Sequence, residues 1–222
     1  MRRLKQLRTW EVALSRAGLG PVAGVDEAGR GACAGPITIA ACVMPDRTIA
    51  ELDRLTDSKK LTPTLREKLY PLVTKYAVAW SVVSIDNRAI DERGIQTANI
   101  DGMRRAVALL DPAPGYVLTD AWHVPGLTVP HIGMLGGDQT ARCIAAASVI
   151  AKVTRDRLMG ELADAHPNYG FAGHKGYSTK THLDAVRHHG ASPVHRYTYA
   201  NVARAHAEYL ADQSLNPEEA GT

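Results

Sequence analysis

Cysteine is scarce and unpatterned in this chain. Cys33, Cys42 and Cys143 are the only three among 222 residues, an odd number with no CxxC pair. That excludes a disulfide framework or a paired-cysteine zinc site and points to a reducing compartment. Long apolar runs are missing too. The longest, around 37–44 and 143–151, fall far below the ~20 residues of a membrane span. The basic N-terminal stretch has no apolar core of the signal-peptide kind. The expectation is a cytoplasmic protein that makes no use of a membrane. Nor is there a large excess of charge: the net value is +3, so the molecule is no polycation. The first sixteen residues alone hold five basic side chains against Glu11. Such an arm can hold phosphates through counterion release or form a solvated helix face. No internal repeat and no clear linker occur. This length suits one substantial core plus an appendage.

What is present reads as an alternation of strands and helices. Residues 1–17 fit a short amphipathic helix with Leu4, Leu7, Trp10 and Leu14 on one face, ended by Gly18 and Gly20-Pro21. Residues 22–26 predict a strand. Residues 37–44, apolar almost throughout, predict a central one. A helix capped at Thr62 or Thr64, with Pro63 in its first turn, runs to about Tyr76. A third strand is expected over 77–85, a helix over 95–110, a short buried strand over 116–119 and another over 127–132. The longest helix is expected from Thr140 to about His166, alanine-rich in its first half so that it can pack close on a sheet. Helices over 179–189 and 199–210 precede a polar tail. The pattern predicts an α/β fold, a mixed sheet with helices on both faces.

The chemistry centres on Gly24-Val25-Asp26-Glu27-Ala28-Gly29-Arg30-Gly31. Two adjacent acids follow an apolar run, and neighbouring strand side chains face opposite ways, so both serve one site only at a strand end or twist. Glycines on either side of Arg30 allow the backbone to come close to a ligand. Asp120 and Asp138 also stand at the ends of apolar segments. Strand ends of this kind converge on one crevice. A lone Asp would be read as a surface cap. The set Asp26, Glu27, Asp120 and Asp138 instead suits hard cations such as Mg²⁺ or Mn²⁺. Two such ions about 4 Å apart clamp the attacking and leaving oxygens in phosphoryl transfer. A phosphodiester substrate is suggested by His174-Lys175-Gly176-Tyr177-Ser178-Thr179-Lys180, which offers cations, hydroxyls and one aromatic face. Lys59 and Lys60 are a weaker version of that signal. The late histidines, His174, His182, His188, His189 and His195, leave open a metal-free ribonuclease working by general acid–base catalysis. A hybrid-binding module without cleavage, and another nuclease or transposase on the same sheet, are further alternatives.

Together these blocks resemble the ribonuclease HII family. The resemblance rests on 24–31 with Ala34-Gly35-Pro36, Asp57-Ser58-Lys59, Thr119-Asp120, Gly137-Asp138, the run from Ala145 to Asp156, and His174-Lys175-Gly176-Tyr177 with Thr179 and His182. It implies a ribonuclease H-like fold, a five-stranded mixed sheet flanked by helices with a helical C-terminal part. It implies a metal-dependent endoribonuclease that cuts the RNA strand of RNA–DNA hybrids and acts 5′ to single ribonucleotides in duplex DNA. Asp26, Glu27, Asp120 and Asp138 would be the catalytic, metal-binding carboxylates, using two ions of Mn²⁺ or Mg²⁺. Gly29, Arg30 and Gly31 would read the ribose 2′-OH through the backbone, Tyr177 would stack on the neighbouring deoxyribose, and Lys59 would lie near phosphates. The expected organisation is a basic helix over 1–18, a catalytic core over 19–166, a helical substrate-binding region over 167–211 and a disordered tail over 212–222, acting as a monomer in DNA replication and repair. Three departures from the family text stand out: Ala32-Cys33 in place of Pro-Leu, Gly136 in place of a lysine before Gly-Asp, and Ala121-Trp122 after the acid.

Overall fold

The computed structural model describes residues 5–215. It divides into two compact units. The first holds the described residues up to Ala28 with Thr38–Ser84 and Gln96–Thr154. The second holds Gly29–Ile37, Ile85–Ile95 and the described residues from Arg155 onward.

A five-stranded sheet carries the first unit: β1 (Val22–Ala28), β2 (Ile37–Val43), β3 (Ala79–Ile85), β4 (Tyr116–Asp120) and β5 (His131–Met134). Their order is β3-β2-β1-β4-β5. β1 runs antiparallel to β2 and parallel to β4, and β5 is parallel to β4. β2 is buried along its whole length, as its continuous apolar run requires. The helices are α1 (Thr9–Arg16), α2 (Pro63–Tyr76), α3 (Asn87–Arg93), α4 (Ile95–Ala108), α5 (Arg142–Ala165), α6 (Phe171–His174), α7 (Lys180–His189) and α8 (Ala200–Leu215). The mixed α/β architecture expected from the sequence is therefore present.

Close contact between α5 and β1 explains the alanine-rich run. A Cβ on Gly24 would lie 2.2 Å from the Cys143 carbonyl carbon and the Ile144 nitrogen. Strand and helix backbones touch there, and only glycine fits. Ala145, Ala146, Ala147 and Ala151 are fully buried on the same helix. Thr62 caps α2 by accepting from the Leu65 N–H, with Pro63 in the first turn. A cap of this kind is worth about 1 kcal/mol.

Several expectations change. β1 extends to Ala28 rather than ending at Asp26, so Glu27 lies within the strand too. β5 begins at His131, not Leu127: the Pro125-Gly126 turn and Pro130, which has no N–H to donate, delay pairing, and the Pro130 carbonyl accepts from Val117. α3 was not foreseen, although its N-cap Asp86, which accepts from the Ala89 N–H at 2.8 Å, is an ordinary start signal. Leu7 and Leu14 pack against the core as the amphipathic expectation requires, but Trp10 is 44% exposed and Glu11 is the buried residue of α1. Glu11 turns inward because its Oε1 accepts from the Cys143 N–H at the start of α5. Leu4 lies outside the described residues. α8 runs five residues past the expected end, so 212–215 are helical; the rest of the expected tail lies outside the described residues.

Candidate metal centre and nucleic-acid interface

In the first unit the parallel register ending at Val25↔Thr119 brings the next residues side by side, Asp26 inside β1 and Asp120 at the end of β4. Asp138 arrives from a short 3-10 turn, Gly137–Gln139, just after β5. Asp26, Asp120 and Asp138 each offer a carboxylate oxygen, and these oxygens lie within 4.8 Å of one another. Among the described residues no other group of three or more His, Cys, Asp or Glu side chains meets in this way. Two backbone donors steady the cluster: Gly137 N–H to Asp120 Oδ1 at 2.9 Å, and Glu27 N–H to Asp26 Oδ1 at 2.7 Å.

The cluster is electrostatically unfavourable as it stands. Asp26 is 4% exposed and Asp138 3%. Burial, then the charges of Glu27 and Asp120, raise the Asp26 carboxyl well above its usual range. Burial, then Asp120 and Asp57, push Asp138 up to about 6. The exposed Lys59 opposes this. Burial works against its charge, but Asp26, Asp138, Asp57 and Asp120 outweigh burial and hold its pKa above the ordinary value. Crowded, partly buried oxygen donors fit a hard divalent cation, whose charge would remove the mutual repulsion. Glu27 lies outside the three-acid group. Its Oε1 accepts from Trp122 Nε1 at 3.3 Å, and its charge is felt by Asp26.

The second unit holds Gly29, Arg30 and Gly31 with Tyr177. Gly29 has φ +87°, and a Cβ there would fall 1.8 Å from Arg155 Nε. Gly31 is exposed, and a Cβ would meet nothing within 4 Å. Arg155 is buried and donates to the carbonyls of Pro36, Lys175 and Ala34. Its guanidinium also lies 5.5 Å from the centre of the Tyr177 ring, which is 38% exposed. The Tyr177 carbonyl accepts from His182 Nδ1 at 2.9 Å and from the Thr179 N–H at 2.8 Å.

A ribonuclease HII family model matches residues 23–202. The chain belongs to the ribonuclease HII family. It is similar to the ribonuclease HII of Corynebacterium efficiens, 67% identical over 214 residues, which is 96% of this chain and 93% of that one. It is 57% identical to that of Mycolicibacterium smegmatis over 205 residues, 92% of this chain and 75% of the relative. Among solved structures, the ribonuclease H2 of Pyrococcus horikoshii superposes with a TM-score of 0.73 at 28% identity, covering 85% of this chain and 98% of its own. The Archaeoglobus fulgidus ribonuclease HII, solved in complex with PCNA, shares the fold with a TM-score of 0.68 at 24% identity, over 86% of this chain and 99% of that one.

The chain is thus a metal-dependent ribonuclease H, an endoribonuclease of RNA–DNA hybrids. No helix among the described residues is long and apolar enough to cross a membrane. Beside the site residues named from sequence, the structure adds Asp57. Its side chain is hydrogen-bonded to Asp138 and accepts from the Lys59 N–H at 2.8 Å. The Asp57-Ser58-Lys59 turn is pinned from two sides. Ser148 Oγ on α5 accepts from the Ser58 N–H, and Arg66 on α2 donates to the Ser58 carbonyl. The signal for Asp57 was its place in that turn; its tie to Asp138 was not legible. Two of the family departures acquire roles. Gly136 adopts φ +64°, a left-handed conformation that suits glycine better than lysine. Trp122 holds Glu27.

Of the late histidines, His188 and His189 are exposed and His174 is half-buried, whereas the other two are withdrawn from solvent. His182 and His195 are fully buried, with their Nε2 atoms 2.9 Å apart. His195 Nδ1 accepts from the Ser192 N–H, so its proton sits on Nε2 and is donated to His182 Nε2. His182 then carries its proton on Nδ1, where it reaches the Tyr177 carbonyl. Burial holds both rings near pKa 4, and both are neutral at physiological pH.

Proposed function

We propose that this ribonuclease cuts on the 5′ side of single ribonucleotides embedded in duplex DNA, as well as within the RNA strand of hybrids. The reading is carried by one observation, the three carboxylate oxygens of Asp26, Asp120 and Asp138 gathered within 4.8 Å. These acids, with Glu27 from the matching family motif, would hold two ions of Mn²⁺ or Mg²⁺. When bound, divalent ions neutralise charge on the scissile phosphate and help to activate the attacking water.

The side chains supply the rest. Glu27 N–H and Gly137 N–H fix the orientation of the Asp26 and Asp120 carboxylates. Lys59, kept charged by the neighbouring acids, would hold a flanking phosphate. The backbone of 29–31 would read the 2′-OH, which alone separates RNA from DNA at one position. The exposed Tyr177 ring, backed by Arg155, would stack on the adjacent deoxyribose. Water attacks phosphorus in line and the 3′ oxygen leaves, giving 3′-hydroxyl and 5′-phosphate ends; the 2′-OH is recognised but is not the nucleophile. On this reading residues 19–166 form the catalytic core and 167–211 contribute to substrate binding. The protein works as a cytoplasmic monomer in ribonucleotide removal and DNA replication and repair. Its three free, buried cysteines agree with a reducing compartment.

The test is a DNA duplex with one ribonucleotide, incubated with and without Mg²⁺ or Mn²⁺, with the fragment ends mapped. Ion-dependent cleavage 5′ to the ribonucleotide, with 3′-hydroxyl ends, is expected. Full activity in chelator with 2′,3′-cyclic phosphate products would overturn the reading.

A further inference from the structure

We propose that Arg196 is the positioning residue for the sugar-reading turn: its guanidinium holds the carbonyls of Gly29, Arg30 and Gly35 and thereby aims the N–H groups of Arg30 and Gly31 outward. The proposal rests on the assignment of 29–31 to the ribose 2′-OH.

Arg196 is fully buried, and among the described residues no carboxylate pairs with it. A buried cation without a counter-ion is costly unless its donors are satisfied. Here oxygens surround it. Nε donates to the Gly35 carbonyl at 3.1 Å. Nη2 donates to the same carbonyl at 3.0 Å and to that of Gly29 at 2.8 Å. Nη1 donates to the Arg30 carbonyl and to Tyr199 Oη, both at 2.9 Å. The Tyr199 hydroxyl passes its own proton to the Arg30 carbonyl at 2.9 Å. The Arg196 backbone joins in, donating to the Cys33 carbonyl at 2.8 Å. One residue thus gathers four carbonyls from the 29–35 loop across more than 160 positions of sequence.

The consequence follows from peptide geometry. Across a trans peptide the C=O and the following N–H point in opposite directions, and the peptides of this turn are trans. With the Gly29 carbonyl drawn toward Arg196, the Arg30 N–H turns away. With the Arg30 carbonyl drawn the same way, the Gly31 N–H turns away too. Gly31 is exposed, and among the described residues no acceptor takes its N–H. Two donors on one outward edge suit a sugar oxygen. Lysine, a point charge with three donors, cannot span carbonyls that arginine reaches with a planar fork.

The experiment uses a duplex with one ribonucleotide and the same duplex in all-DNA form. For each variant, KM for the first is set against Ki of the second as a competitive inhibitor, and thermal melting reports the folded state. Arg196→Lys and Tyr199→Phe are each expected to shrink the Ki/KM ratio about fivefold or more, while kcat changes less. Arg196→Lys should shrink it further than Tyr199→Phe. A merely structural role would move KM and Ki together or lower only the melting temperature. An unchanged ratio in both variants overturns the proposal, and should Arg196→Lys fail to fold, Tyr199→Phe alone decides. Gly31→Ala separates the two claims. A ratio it leaves intact removes the 2′-OH assignment and the proposal with it, whereas a ratio that falls in Gly31→Ala but not in the Arg196 and Tyr199 variants removes the proposal only.

Discussion

In the sheet-bearing unit like charges crowd together. Asp26, Asp120 and Asp138 press on one another with Lys59 in opposition, and two of the carboxyls are pushed above their ordinary pKa. In the second unit the chemistry runs the other way. Arg155 and Arg196 are buried cations whose donors are spent on loop carbonyls, and His182 and His195 form a neutral chain that ends on the Tyr177 carbonyl. On the proposed function the acid cluster is the cutting region, held in an unfavourable state that a cation would relieve. On the same proposal the 29–31 turn is the reading region, finished in advance with its backbone already set. The difference teaches that the two jobs need different preparation. Binding divalent ions needs stored repulsion, whereas telling one sugar from another needs rigid geometry.

That contrast can be broken at four places. The largest effect is expected at the acids. Asp26→Asn should lower kcat on a hybrid duplex by about a thousandfold or more, since a cation-binding oxygen supplies several kcal/mol to the transition state. Its melting temperature without added metal should stay level or rise, because repulsion is removed. A fall in melting temperature would show that the cluster is not repulsive.

The glycine turn comes next. Gly29→Ala forces a left-handed conformation and a clash with Arg155, and should cost about 1–2 kcal/mol of stability from the backbone alone. Gly31→Ala should leave stability unchanged by urea unfolding and act only on substrate discrimination. Equal losses of stability in the two variants would sink the idea that the turn is pre-set from beneath Gly29. At Tyr177, Tyr177→Ala should weaken cleavage at an RNA–DNA junction about tenfold, the scale of one aromatic stack, and weaken cleavage inside a ribonucleotide run less. A uniform loss would mean that the ring only packs.

The smallest effect under working conditions is the pH response of the buried histidines. Their folded pKa near 4 lies below the ordinary 6.5, so between these values the unfolded chain binds more protons. Stability is full above about pH 6.5 and is lost as pH falls toward 4, by roughly 3 kcal/mol for each ring. The acid cluster titrates in the opposite sense, so the useful quantity is the difference between wild type and His195→Gln. Urea midpoints at pH 7.5 and 5.0 should fall less in the variant. Parallel slopes would show that the histidines are not held neutral.

Much of this protein was legible in its sequence because its signals are local. Pro63 after Thr62, the apolar run of β2 and the small residues of α5 each respond to neighbours a few positions away or to one face of a sheet. The Asp-Glu pair and the glycines around Arg30 were visible for the same reason. The end of β1, the late start of β5, the inward turn of Glu11 and the tie between Asp57 and Asp138 were not. Glu11 and Asp57 answer to partners far along the chain, Cys143 and Asp138, and the end of β1 to its pairing with β2, whereas the Pro-Gly turn and Pro130 that delay β5 are local signals that were passed over.

By itself the sequence determined which residue types were available: four acids at the ends of apolar segments, a turn that only glycine could make, and one aromatic among cations. Tertiary structure decided which of them meet. Parallel pairing of β1 with β4 sets Asp26 beside Asp120, and the turn after β5 adds Asp138 while leaving Glu27 with Trp122. It also turned Arg155, Arg196, His182 and His195 from apparent surface charge into buried scaffolding. Carbonyls far along the chain satisfy the two arginines there, and no local pattern announces a hydrogen bond across 160 residues.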